Sequence, residues 1–325
     1  MNIVITGGGG FLGLRLARAL LQHPPAGVQV DRIVLADRVE APDLGDPRVV
    51  SAVGDIADDV FLATILTKDV QLVYHLAAIV SGEAEANFDL GLKINIDASR
   101  LLLDKCRQLG TRPRVVFTSS IAVFGPQEPD AVISDGTSVD PRSSYGMEKA
   151  AAELLLKEYS RREMVDGIVL RLPTISVRPG RPNKAASSFA SGIIREPLCG
   201  IAAPCPVPSS TSLWLLSPRR AVEALMVAAT LDTASLGMNR TINLPGISVT
   251  VGEMLAALQD AGGADVRALV TDEPDAAVEH IVASWPRAWD DSRARTLGFS
   301  GDADFRSIID AFITDDLAAQ RLLFA

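Results

Sequence analysis

The stretch NIVITGGGGFLGLRLA, residues 2–17, decides the fold. Its first five residues are a short apolar run, as in a buried strand. Glycines follow, and then apolar residues at helical spacing. Gly7, Gly10 and Gly13 stand as G-x-x-G-x-x-G between the two. Glycine there permits a tight turn and lets backbone approach a pyrophosphate closely. The helix N-terminus beyond it offers N–H groups and the positive end of its dipole. A glycine-rich turn without a ligand is the bland alternative. The place of the motif at the head of a βαβ unit favours dinucleotide binding.

The same rhythm extends outward. Apolar runs at 32–37, 49–55, 71–78, 114–120 and 167–172 predict strands, with helices over 11–23, 58–66, 88–109 and from Tyr145 onward. Strands apolar throughout, separated by helices, indicate a parallel sheet covered on both faces. With right-handed crossovers this is an α/β fold, a Rossmann-type doubly wound parallel sheet. After Pro173 the rhythm breaks. Residues 174–217 are rich in Pro, Ser and Arg and show no clear period. Helices are predicted again at 218–230 and 251–262, a strand at 241–246, and a final helix within 300–317. The expected organisation is a dinucleotide-binding domain at 1–173. Residues 174–325 would be mainly substrate-binding, a smaller C-terminal cap with some segments returning to the main sheet.

Composition narrows the function. The 325 residues are 48% hydrophobic and 22% charged, a globular balance, with a formal net charge of −9. An acidic surface argues against nucleic acid or an anionic membrane as partner. Three cysteines at irregular spacing give neither a disulfide framework nor a zinc pattern, and three histidines make a metal site unexpected. The first residues lack the plan of a signal peptide, and no apolar run reaches the length of a membrane span. A reducing, cytoplasmic setting is expected.

Asp37 ends the second predicted strand. A carboxylate there accepts both hydroxyls of an adenosine ribose and repels a 2′-phosphate, so NAD is expected over NADP, with Arg38 the opposing influence. Read blandly, it is a solvated acid. Ser119 and Ser120 close the run at 114–120, and ligands of open α/β sheets bind beyond the carboxyl ends of strands. Tyr145 and Lys149, four apart, share a helix face. Oxidising an alcohol needs a base for the hydroxyl proton while hydride leaves the carbon. Free Tyr, with a pKa of about 10, is a poor base at neutral pH, and a Lys ammonium stabilises its phenolate. A Ser hydroxyl orients the substrate oxygen. Tyr-x-x-x-Lys alone is common and reads equally as a solvated face. The glycine loop, Asp37 and the Ser pair, all in order, favour a catalytic couple.

These motifs together resemble the extended short-chain dehydrogenase/reductases, the NAD-dependent epimerase/dehydratase family. The matching pieces are TGGGGFLG at Thr6, Asp37, GDI at Gly54, HLAA at His75, FTSSIAVFG at Phe117 and YGMEK at Tyr145. The resemblance implies NAD held by the glycine loop with Phe11 and Leu12, by Asp37, and by Asp55 and Ile56 at the adenine. It implies that backbone at Leu76, Ala77 and Ala78 lines the cofactor. Thr118, Tyr145, Lys149 and Pro173 would complete that site, and Asn95 would stabilise its architecture. The last Ser of the strand-end run, Ser120, is implied as catalytic. The family often dimerises through helices corresponding to 88–109 and 145–162, although an apolar helix face is more often core.

The substrate is read from the second half. Epimerases of this family that act on nucleotide sugars carry R-x-x-N after the sixth strand. Here LRLPTI places Thr174 at the Asn position. Residues 77–102, 171–200 and WLLSPR at 214–219 resemble the branch that oxidises D-erythronate, a four-carbon sugar acid, at C2 with NAD. A small anionic sugar acid needs charge pairing and forked hydrogen bonds, and Arg178, Arg181 and Arg195 cluster in this half of an acidic chain. Each reads equally as a structural ion pair. Ser81 and Ser187 or Ser188 are candidate hydroxyl partners, with Thr174, Ser120 and Tyr145. Trp214 reads as core or pocket wall. The expectation is an NAD-dependent dehydrogenase with Ser120, Tyr145 and Lys149 as catalytic residues. The alternative is a UDP-sugar 4-epimerase that keeps its NAD bound. A non-catalytic dinucleotide sensor would have lost the Ser–Tyr–Lys set, and all three positions are filled.

Overall fold

A computed structural model of the chain describes residues 1–25, 27–126, 128, 131–182, 185–283 and 285–324. Its first part runs β1 (Asn2–Thr6), α1 (Phe11–Gln22), β2 (Arg32–Asp37), β3 (Val49–Val53), α2 (Asp59–Ile65), β4 (Val70–His75), α3 (Ser81–Ala86) and α4 (Phe88–Gly91). A π-helical segment (Leu92–Asp97), α5 (Ala98–Leu109), β5 (Arg114–Ser120), β6 (Val132–Ile133), α6 (Ser144–Arg161) and β7 (Asp166–Leu172) follow. Then come β8 (Thr174–Ile175), α7 (Phe189–Leu198), β9 (Ala203–Cys205), β10 (Ser212–Leu216), α8 (Pro218–Thr230), β11 (Thr241–Asn243), β12 (Ile247–Thr250) and α9 (Val251–Gly262). The chain closes with α10 (Ala264–Arg267), β13 (Val270–Asp272), α11 (Ala276–Ala283), β14 (Ala288–Trp289), α12 (Ser292–Thr296), α13 (Phe305–Asp315) and α14 (Leu317–Phe324).

Seven strands form one sheet in the order β11-β7-β5-β4-β1-β2-β3. β1 pairs in parallel with both β2 and β4, β2 with β3, and β4 with β5. Residues 3–6 of β1 are all buried, which is why the run is apolar throughout instead of alternating. Strand order reverses between β1 and β4, the place where doubly wound sheets open a crevice at their carboxyl ends. The register decides what meets there. Thr6 lies opposite Ala36 and His75, and His75 opposite Phe117. Gly7, Asp37, Leu76 and Thr118 therefore gather at one edge of the sheet, at the carboxyl ends of β1, β2, β4 and β5. This is the Rossmann-type sheet that the sequence rhythm predicts.

By internal contacts the chain forms two compact units. The first comprises residues 1–123, 143–171 and 222–242, the second 124–142, 172–221 and 243–325. The first packs Val4, Val34, Val73, Val115 and Val169 of the sheet with Leu102 and Leu156 of its helices. The second has its own core around Ile193, Leu213, Met254, Ile308 and Phe312. It carries a three-stranded sheet, β12-β10-β8, and two two-stranded pairs, β13-β9 and β14-β6.

The structure departs from the sequence expectations in four places. Residues 174–217, without a clear period, contain α7. Its buried face mixes Ala190, Ile193 and Ile194 with Ser191, Arg195 and Glu196, so polarity hides the helical repeat. The helix expected over 88–109 is interrupted by the π-helical segment, where the Ala98 N–H reaches back five residues to the Lys93 carbonyl. The strand expected over 241–246 stops at Asn243, ahead of Pro245, which has no N–H to offer a ladder. The helix expected within 300–317 is α13, begun at Phe305 where the Asp304 carboxylate accepts from the Ser307 N–H, but it is not the final one, since α14 follows it.

Inside the first unit, α6 is joined to β7 by a buried ion pair. Arg171 donates through Nε and Nη2 to both Glu153 oxygens, at 2.9 and 2.6 Å. The two residues are 6% and 5% exposed. Removing one partner leaves a charge without its counter-ion in the core. Glu153→Ala is therefore expected to destabilise the protein by about 3–5 kcal/mol, read as a lower urea midpoint.

Candidate active site

The glycine loop is shaped by close backbone approach. Gly7 has φ of +69°, and a Cβ on it would lie 2.8 Å from the Ala77 nitrogen. A Cβ on Gly13 would lie 2.6 Å from the Gly7 oxygen, so the turn and the helix start can only meet without side chains. No side chain caps α1 at Gly10, and no acid stands in its first turn. The first-turn N–H groups of Phe11, Leu12 and Gly13 are thus available to an anion. Asp37 is half-buried, and its Oδ2 accepts from the Gly9 N–H at 3.0 Å while Oδ1 accepts from the Arg38 N–H at 2.7 Å. Asp55 lies beyond β3, where its Oδ1 accepts from the Ala57 N–H at 2.9 Å, and Ile56 is buried beside it. Uncapped helix, side-chain-free cradle and strand-end acid together fit a dinucleotide.

Beneath this loop runs a hydrogen-bond chain that sequence reasoning did not find. Ser99 Oγ donates to the Asn95 carbonyl at 2.7 Å, so its oxygen is left to accept from His75 Nε2 at 2.9 Å. His75 Nδ1 must then accept from Thr6 Oγ1, at 2.7 Å. Thr6 Oγ1 in turn accepts from the Ala77 N–H at 3.3 Å. Burial pushes His75 down to about 3, with Lys149 adding to the effect, so the ring is neutral. The chain links the foot of the glycine loop to the π-helical segment. Its signal in sequence is slight, a His closing a mostly apolar strand and a Ser in the first turn of an amphipathic helix.

Asn95 sits on that π-helical segment and grips the backbone after β4. Its Oδ1 accepts from the Ile79 N–H at 2.9 Å, and its Nδ2 donates to the Ile79 carbonyl at 3.0 Å. Nδ2 also donates to Glu148 Oε2 at 2.6 Å. Leu76, Ala77 and Ala78, on this same stretch, are half-buried.

The helix bearing Tyr145 and Lys149 begins where Ser143 Oγ accepts from the Gly146 N–H at 3.1 Å. Lys149 is buried, and its ammonium donates to the Thr118 carbonyl at 3.0 Å. It lies 4.7 Å from the Phe117 ring centre and 5.7 Å from that of Tyr145. Burial pulls Lys149 down to about 8, against the opposing pull of Glu148 and Glu153. Thr118 Oγ1 donates to the His75 carbonyl at 3.2 Å. Ser120 Oγ accepts from the Ala122 N–H at 3.1 Å, which leaves its O–H as a donor. Ser119 instead donates to Glu153 and is buried. The strand-end Ser, Tyr145 and Lys149 thus share the first unit with the glycine loop.

Ser81 opens α3, a short helix outside those predicted from the sequence. Pro173, Thr174, Arg178, Arg181, Ser187 and Arg195 belong to the second unit. Thr174 pairs with Leu215 in its small sheet, and Arg181 is exposed. Arg178 Nη2 reaches Ser187 Oγ at 3.5 Å, and its backbone N–H donates to Ser191 Oγ at 3.0 Å. Arg195 is buried, donating to the Arg178 carbonyl at 2.7 Å and to Glu196 Oε1 at 2.6 Å. Among the described residues no group of three His, Cys, Asp or Glu gathers as for a metal ion, and no helix is long and apolar enough to cross a membrane.

The model of the NAD dependent epimerase/dehydratase family matches residues 3–210. The chain belongs to that family. It is an oxidoreductase of the epimerase/dehydratase family, and NAD is its cofactor. It is 55% identical to a D-erythronate dehydrogenase of Cupriavidus necator, over 97% of this chain and 98% of that protein. It is 44% identical to a D-erythronate dehydrogenase of Haemophilus influenzae, over 98% of this chain and 100% of that protein. A nucleoside-diphosphate-sugar epimerase from Agrobacterium tumefaciens has a similar solved structure. The TM-score is 0.91 at 41% identity, covering 99% of this chain and 96% of that one.

For this family member the Asp37 carboxylate makes a test of cofactor choice. Asp37→Ser is expected to cost at least about 10-fold in kcat/KM with NAD, because a hydrogen bond to a charged group is worth roughly 1.5–3 kcal/mol. Activity with NADP should rise, and steady-state rates with both cofactors check it.

Proposed function

We propose that the protein oxidises D-erythronate, a four-carbon sugar acid, at C2 to 2-dehydro-D-erythronate. The observation that carries this reading is identity of 55% and 44% to two D-erythronate dehydrogenases over nearly the whole chain, including the second half. NAD, when bound, supplies the hydride acceptor. The glycine loop, Asp37, Asp55 with Ile56, and the backbone of Leu76–Ala78 would hold it, with Asn95 keeping that backbone in place. Thr118, Tyr145, Lys149 and Pro173 would stand at its nicotinamide end.

The chain's own groups manage the proton. Tyr145 Oη takes the proton from the C2 hydroxyl as the C–H bond gives up its electron pair, leaving a C2 carbonyl. The Lys149 ammonium stabilises the phenolate that this requires. Ser120, with its O–H still a donor, holds the substrate oxygen in line. For the carboxylate Arg178, Arg181 and Arg195 are the candidates, and the charge of Arg195 is already met by Glu196. Arg181, Thr174, Ser187 and Ser81 remain substrate contacts in this reading.

The same reading takes the enzyme as a cytoplasmic homodimer. Exposed Phe88 and Leu154, at 50% and 63%, lie on helices such a dimer would use, and its cysteines are free thiols.

A second reading, a nucleotide-sugar epimerase, is favoured by the likeness to the Agrobacterium tumefaciens protein. Net NADH separates the two. With D-erythronate, NADH should accumulate in proportion to acid consumed. A UDP-sugar turned to its epimer without net NADH would reverse the assignment. Tyr145→Phe should lower kcat by at least about 100-fold, the scale of general-base catalysis, while NAD affinity by calorimetry stays within about 3-fold. Activity of the native enzyme should fall as pH rises through about 8, where Lys149 loses its proton.

A further inference from the structure

Glu148 stands between the reactive Tyr and Lys in sequence but points elsewhere. Its side chain is fully buried, 0% exposed. One oxygen accepts from Asn95, and the other, Oε1, has no hydrogen-bond partner among the described residues. It is packed so closely against Gly91 that a Cβ there would come within 2.2 Å of Oε1. No arginine or lysine forms an ion pair with it among the described residues. Such a carboxyl is costly to bury unless something nearby compensates.

The complementary oddity is the next residue. Among the described residues Lys149 is buried with a single hydrogen bond, to a neutral carbonyl, and no carboxylate within ion-pair distance. The helix therefore buries a carboxyl and an amine at consecutive positions, neither in an ion pair among the described residues; burial pushes the Glu148 carboxyl up, and the Asn95 bond and the Lys149 charge oppose that. Other charged groups do not take over the task. Glu153, one turn on, also favours the ammonium, but its charge is engaged in the ion pair with Arg171. His75, facing Lys149 from β4, is neutral. From α3 Glu85 acts on Glu148 as a like charge. Asp89, Lys93 and Asp97, on the stretch that carries Asn95, are exposed.

We propose that Glu148 is a positioning residue for catalysis: its carboxylate, anchored by Asn95, is the buried counter-charge that keeps Lys149 an ammonium. This rests on the reading of Tyr145 as base and Lys149 as its cation. Glu148 acts through Lys149 and touches neither substrate nor cofactor. The sign follows from the charges. An adjacent anion favours the protonated amine, so removing it lets Lys149 lose its proton at lower pH.

The experiment is the pH profile of kcat/KM for the full-length protein and two variants. Glu148→Gln keeps an acceptor for Asn95 and removes the charge. Glu148→Met is near in volume and leaves no polar atom unpaired, so it serves if Gln disturbs folding. In the folded variant the upper limb should move down by about one pH unit, with NAD affinity close to native. At pH below both limbs, activity should return towards the native value, which a folding or packing defect would not allow. An upper limb that stays in place, or a loss of activity equal at every pH, overturns the proposal. Tyr145→Phe, run alongside, separates the two failures. If it is inactive while the limb stays in place, the role of Glu148 falls and the Tyr–Lys reading stands. If it is active, the Tyr–Lys reading falls first.

Discussion

The bond from the Lys149 ammonium to the Thr118 carbonyl holds the candidate site together. It joins a helix to the end of a strand, and its position depends on both. Thr118 stands where it does because β5 is in register with β4, His75 opposite Phe117. Lys149 reaches it because the helix starts at Ser143, capped through the Gly146 N–H, with the Ser144 N–H bonded to Glu85. One turn separates Lys149 from Tyr145, so fixing the ammonium also fixes the side of the helix on which the phenol stands. A buried ammonium with one neutral acceptor is otherwise poorly solvated. The faces of Phe117 and Tyr145 offset part of that, since ring quadrupoles attract cations.

The cofactor side is assembled by different means. There the decisive feature is the absence of side chains at Gly7 and Gly13, which lets the loop lie against the backbone leaving β4. The Thr6–His75–Ser99 chain makes that contact specific. Because Ser99 must donate to Asn95, every proton in the chain is placed, and the imidazole has one allowed tautomer. A charged His75 would have two donors and lose the bond from Thr6. Burial and the nearby ammonium both oppose that state. The histidine here is an ordering element of the sheet edge, not an acid or base.

The parts of this design that were legible in sequence are those written locally. The glycine loop, Asp37 at its strand end, and Tyr145 with Lys149 each depend on spacing within one or two adjacent elements, and a fixed spacing survives in the sequence. The Rossmann-type sheet was legible for a related reason, since strands buried on both faces are apolar at every position. What was not legible joins distant residues. Asn95 and Glu148 are 53 positions apart, and nothing local marks either as the other's partner. The π-helical turn that aims Asn95 was hidden inside a stretch with ordinary helical composition. α7 was hidden by the polar residues on its buried face, whose partners are supplied by the fold.

Arg195 shows why the second half of the chain was harder to read. By residue type it is as good a carboxylate ligand as Arg178. In the folded chain its guanidinium is committed to Glu196 and to the Arg178 carbonyl. A buried arginine beside its own carboxylate contributes little net positive potential. Its hydrogen bond to the main chain of Arg178, together with the Ser191 hydroxyl that accepts from the Arg178 N–H, sets the backbone from which the Arg178 side chain extends. In a chain of net charge −9, an anion is attracted by local geometry against the overall field. What sets Arg195 apart from a ligand-binding cation is that its guanidinium is already neutralised within the fold. Counting arginines cannot make that distinction. Following each guanidinium to its acceptor can.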